Sequence, residues 1–118
     1  MAVIAIDANT SWVVAKWAVR FVLEHVNVSD VSIDLGQRVT EAVEHDSGYL
    51  TLEGLPNDDR ASFGAQVRRI AEDLIQNGPN SLATPSIYSG LVSEIKRLQK
   101  LVEGYEHPEG SKIFRNSE

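Results

Sequence analysis

The strongest constraint on the fold is an apolar stripe between Pro85 and Tyr105. Tyr88, Leu91, Ile95, Leu98, Val102 and Tyr105 recur at alternating steps of three and four. That spacing puts them on one side of a helix, close to a coiled-coil seam. Ile87, Val92 and Leu101 widen the stripe, and Glu94, Lys96, Arg97, Gln99, Lys100 and Glu103 fill the other side. Pro85 suits a first helical turn, where a missing N–H costs nothing, and Thr84 stands at the N-cap position. Gly104 falls where the helix should end, and Pro108 stops any continuation. So regular a stripe must be covered by apolar partners. They come from the rest of the chain, or from a second copy paired through the helix 85–105.

The rest of the chain offers three more stripes. Val14, Trp17, Ala18, Phe21, Val22 and His25 predict a helix from Ser11 to His25, with Val13, Val19, Leu23 and Val26 widening its apolar arc. Leu35, Val39, Ala42 and Val43 predict a helix from Ile33 to His45, weakened by Gly36. Phe63, Val67, Ile70, Ala71, Leu74 and Ile75 predict a helix from Asp59 to Gln76, ended by Asn77-Gly78-Pro79. Residues 3–6 (Val-Ile-Ala-Ile) suit either a short strand or the apolar lead-in to a helix, and 49–52 (Tyr-Leu-Thr-Leu) make a short β-type or extended piece. If both are strands, they can pair.

The expected fold is therefore mainly α: a small four-helix bundle-like domain, or α+β with one short strand or hairpin. The length of 118 residues fits a single domain. Residues 1–105 form it, and 106–118 make a polar C-terminal tail. The expected core joins Trp17, Phe21, Phe63, Val67, Ile70, Leu74, Leu91, Ile95 and Leu98.

Charge is the sequence's main functional signal. The formal net charge is −6, and its distribution is uneven. Residues 24–59 hold nine acids against Arg38 alone, while the segments before and after are each close to balance. Direct nucleic-acid binding by that stretch is disfavoured, because phosphates would be repelled. A basic protein would be attracted and steered. There is no cysteine, which excludes disulfides, thiolate metal sites and thiol catalysis. No signal peptide or membrane span is expected, and the expected location is cytoplasmic.

Four sets of residues are candidates for chemistry. Glu41 and His45, four apart on a helix and followed by Asp46, have the spacing to share a metal ion. Further ligands are missing nearby in sequence, so a solvated helix end is the simpler reading. Val3-Ile4-Ala5-Ile6-Asp7-Ala8-Asn9 resembles the opening strand of PIN-type ribonucleases. The resemblance implies that Asp7 helps to hold magnesium. Such a site needs acids on later strands, which the pattern does not supply, and Asp7 or Asn9 also suits a cap. Arg60, Arg68, Arg69, Lys96, Arg97 and Lys100 could make a basic face, but acids are interleaved with them. Salt-bridged, solvated faces are expected there.

The fourth set is the acidic stretch itself, with Glu41, Glu44, Asp46, Glu53, Asp58 and Asp59 around Tyr49 as an aromatic anchor. The sequence reading is thus a non-catalytic acidic binding or inhibitor protein that occludes a basic partner, such as a nucleic-acid-binding enzyme. In size and charge it looks like immunity, anti-restriction or anti-CRISPR proteins. No cofactor or metal is expected. The alternatives are a small metal-dependent nuclease or hydrolase using Asp7 and Glu41/His45, and a self-associating helical scaffold or regulator.

Overall fold

The computed structural model describes residues 2–106. The predicted tail lies outside the described residues beyond the backbone of Glu106, as does the side chain of Tyr105. The chain opens with a hairpin, β1 (Ala2–Asp7) and β2 (Thr10–Val14). Asp7 makes the turn by accepting the Asn9 backbone N–H at 2.7 Å, a short-range bond that competes well with helix formation. β3 (Tyr49–Thr51) then adds to the other edge of β1. The sheet order is β2-β1-β3, with β2 antiparallel and β3 parallel to β1. Both short apolar pieces are strands, and they do pair.

Four helices follow or intervene: α1 (Lys16–His25), α2 (Ile33–Glu44), α3 (Asn57–Asn77) and α4 (Tyr88–Glu106). Ser32 caps α2 by accepting the Leu35 N–H at 3.1 Å. Thr84 makes no side-chain cap; residues Pro85–Ile87 form a separate 3-10 turn before α4 begins. The fold is mainly helical with a small sheet. The helices do not enclose a core alone, because Ala2, Ile4, Ile6, Trp12, Val14 and Leu50 from the strands join the same buried cluster.

The stripe of α4 is occupied within the chain. Leu91, Ile95, Leu98 and Val102 are buried, and α4 packs chiefly against α3, whose Phe63, Val67, Ile70 and Leu74 are buried too. Two expected core members are not buried. Trp17 is 49% exposed, and Phe21 is only half-buried, stacked on His25 with ring centroids 4.3 Å apart. Ile75 is also exposed. The reason for the first two is a change of period. Trp12 in, Val13 out and Val14 in alternate as a strand does, so the helix starts at Lys16 and its inward face is Ala18, Val19, Val22 and Leu23.

Gly48 joins α2 to the sheet. Its carbonyl accepts the Val3 N–H at 2.8 Å, and its φ is +70°, a region that side chains disfavour. A Cβ there would lie 3.3 Å from Ala2 Cβ and from Lys16 Cγ. Gly48→Ala is expected to lower stability by about 1–2 kcal/mol from backbone strain, with crowding adding to it. Urea denaturation measures it, and an unchanged midpoint would contradict this account of the turn. Among the described residues, no helix is long and apolar enough to cross a membrane.

Candidate functional site

The acidic stretch does not stay together as one patch. Glu41 and Glu44 lie exposed on the outer face of α2, with Asp34 about two to three turns earlier. Gln37 donates to the Glu41 carboxylate at 3.2 Å. Asp46 turns away to the start of α1, held at a positive φ of 50°. There it pairs with Lys16 at 3.3 Å and Arg20 at 3.2 Å. Arg20 also bonds Glu24 at 2.7 Å, and that carboxylate, with Asp46 beside it, holds the guanidinium pKa above its ordinary value. Tyr49 stands on the outward face of the sheet, half exposed. Glu53 is exposed in the loop after β3.

Asp58 and Asp59 occupy the first turn of α3, where the helix dipole favours carboxylates and no side chain of Pro56 can cap. Asp58 is exposed, but Asp59 is only 7% exposed. Arg38, the one base of the stretch, is also committed: its guanidinium donates to the Thr51 carbonyl at 2.8 Å and the Glu53 carbonyl at 2.9 Å. It fixes the loop after β3 and leaves the carboxylates of α2 unmatched. Among the described residues, no lysine or arginine pairs with Asp34, Glu41 or Glu44.

What joins Glu41 and Glu44 is apolar. Ile33, the first residue of α2, is 87% exposed, and Val28 in the 3-10 turn Val28–Asp30 is 45% exposed. Val28, Ile33, Gly36, Gln37, Glu41 and Glu44 line one shallow groove between that turn and α2. Gly36 lies against that turn: a Cβ there would sit 3.4 Å from the Val28 carbonyl oxygen. The sequence did carry this signal. Ile33 lies two residues before Leu35, on the opposite side of the helix from the inward stripe.

The nuclease constellation is not assembled. Gly48 and Val3 tie the end of α2 to the start of β1, whereas Asp7 is at the far end of that strand. Four residue steps of strand separate the two, roughly 13 Å. Among the described residues, no three His, Asp or Glu side chains cluster with metal-ligand geometry. Three of the basic residues of α3 and α4 pair with acids: Arg68 with Glu103, Arg69 with Asp73 and Arg97 with Glu94. Arg60 is buried rather than exposed.

A second cleft, of about 190 Å³, is lined by His25, Arg69, Asp73, Asn77 and Ser81 among others. It holds a serine, a histidine and an aspartate, but not as a relay. The His25 Nδ1 is engaged by the Phe21 carbonyl at 2.7 Å, and the Ser81 hydroxyl donates to the Gly78 carbonyl at 2.7 Å. Asp73 is paired with Arg69 at 3.0 Å. Nucleophilic catalysis needs the base on the nucleophile and the acid on the base. No protein-family model, curated protein or solved structure matches this chain.

Proposed function

We propose that the protein is a non-catalytic binding protein that docks a basic protein on the outer face of α2. The observation that carries this reading is Ile33, 87% exposed next to half-exposed Val28 and rimmed by Glu41 and Glu44. An apolar centre inside a charged rim is the usual anatomy of a protein interface. Leaving isoleucine in water has no benefit to the free fold, whereas covering it contributes about 1.5–3 kcal/mol. The unmatched carboxylates select the partner's charge. They repel nucleic acid and attract lysine and arginine.

The mechanism is occlusion. Carboxylates on a helix present negative charge at spacings that stand in for phosphates, so a nucleic-acid-binding enzyme is a fitting partner. Its basic groove would be filled and its substrate shut out. This is the mode of small acidic antagonists, of which immunity, anti-restriction and anti-CRISPR proteins are examples in kind. Asp46, Asp58 and Asp59 have structural duties at helix ends and ion pairs, and they contribute field rather than contact. Tyr49 belongs to a different face.

Affinity capture with three baits tests the reading: the native chain, Ile33→Ser, and Glu41→Lys with Glu44→Lys. A basic protein retained by the native chain and lost from both variants is the expected result. A partner retained equally by all three baits would place the site elsewhere.

A further inference from the structure

The geometry points to a second function for the opposite edge of the sheet: self-association of two copies through β2. The inference is independent of the α2 surface. Its basis is the hydrogen-bond direction of the strands. The Val3 N–H bonds Gly48 and the Ala5 carbonyl accepts the Leu52 N–H at 2.9 Å, so Val3 and Ala5 spend their backbone groups on the β3 side. Alternation then turns Ile4 towards β2, where it is paired with Trp12, as Ala2 is with Val14. Trp12 and Val14 therefore bond inward. Ser11 and Val13 aim their N–H and C=O groups away from the sheet, at an edge with no paired strand among the described residues.

That edge is self-complementary. Two β2 strands related by a twofold axis at Trp12 put Ser11 of each opposite Val13 of the other. Both are outward-bonding positions, so the pair closes four backbone hydrogen bonds. The result is a continuous six-stranded sheet. Natural edges are usually guarded by charge, proline or a bulge. Here residues 8–15 carry no charge and no proline, in a chain that is 24% charged. The one irregularity of the hairpin lies at its turn end, between Ala5 and Asp7.

Charge and apolar surface also select a second copy. Each copy carries net negative charge, so two copies associate best through a neutral face. Val13 and Trp17, each close to half exposed, line a groove with Ile87 at the N-terminal end of α4, beside that edge. Glu94 is the one charged residue in the groove, and Arg97 neutralises it at 2.8 Å. The α4 stripe cannot serve instead, because α3 already covers it. α2 packs at the β3 side, so pairing through β2 leaves both acidic grooves exposed at the far ends of the assembly.

Sedimentation velocity on the full chain between about 1 and 500 µM tests the proposal, within the range where modest interfaces assemble. The expected result is a monomer that doubles in mass as concentration rises. Val13→Pro removes one outward N–H, which proline at an edge tolerates, and should leave a folded monomer with unchanged circular dichroism. Val13→Lys is the second variant, with the same expected loss of dimer. Hydrogen exchange on the native chain supplies an independent reading: the Ser11 and Val13 amides should gain protection with concentration, and those of α2 should not. A monomer at all concentrations, or a dimer that persists in both variants, overturns the proposal. So does a dimer whose Ser11 and Val13 amides exchange as fast as in the monomer.

Discussion

Trp12→Ala is expected to cost about 3–5 kcal/mol of stability, and Trp17→Ala less than about 1 kcal/mol. The two tryptophans are five residues apart and have opposite environments. Trp12 is fully buried on the inner face of β2, and its removal opens a cavity in the core that sheet and helices share. Trp17 is 49% exposed, so its truncation removes little packing. The indole N–H of Trp12 has no hydrogen-bond partner among the described residues. That orphan donor carries a penalty of its own, so Trp12→Phe should cost much less than Trp12→Ala. Guanidinium denaturation of the three variants gives the comparison. For a chain of this size the Trp12→Ala cost is a large fraction of the total stability. Equal costs at the two positions, or a larger one at Trp17, would show that the chain enters α1 earlier than Lys16.

The contrast between these two residues also shows where the sequence was legible. The helical stripes of α2, α3 and α4 survive except at Ile75, because Leu35/Val39/Ala42, Phe63/Val67/Ile70/Leu74 and Leu91/Ile95/Leu98/Val102 keep one period. The stretch from Ser11 to His25 mixes two periods. Apolar residues are so dense there that a strand ending at Val14 and a helix starting at Lys16 merge into one wide apolar arc. What separates them is Asp7-Ala8-Asn9, whose caps-like composition suits a hairpin turn as well as a helix start. The local pattern does not decide; the pairing of β1 with both β2 and β3 does, since a lone four-residue apolar run has no stability without neighbours.

The acidic stretch was legible as a surplus of charge but not as a surface. Nine acids against one base is a count along the chain, and the fold distributes them by their local duties. Asp46 was not separable from Glu44 in sequence, yet its positive φ turns it towards Lys16 and Arg20. Asp59 looked equivalent to Asp58, but the inner side of the α3 first turn buries it. Conversely, Ile33 is invisible to a charge count, although its position off the inward stripe marks it. In the proposed site Ile33 takes the place of the anchor, because Tyr49 shares the outer face of the sheet with Val3 and Val13 across the registers Val3↔Tyr49 and Val3↔Val13.

The rim and the centre of the α2 groove should separate kinetically once a partner is in hand. Carboxylates at an exposed rim act over the distance of approach, so they govern association. Raising ionic strength from about 0.05 to 0.5 M shortens the screening length from roughly 14 to 4 Å, and should slow association about tenfold or more while changing dissociation little. Glu41→Lys with Glu44→Lys should have the same signature without lowering the melting temperature, because both side chains are exposed and neither forms an ion pair among the described residues. Ile33→Ala should do the reverse. It leaves the field intact and removes apolar area from the centre of the contact, so dissociation should quicken by about tenfold while association holds. Surface plasmon resonance resolves both rates. A partner whose affinity ignores salt and the double charge reversal would leave the carboxylates of α2 with no role beyond solubility, and one indifferent to Ile33→Ala would remove the apolar centre on which the assignment rests.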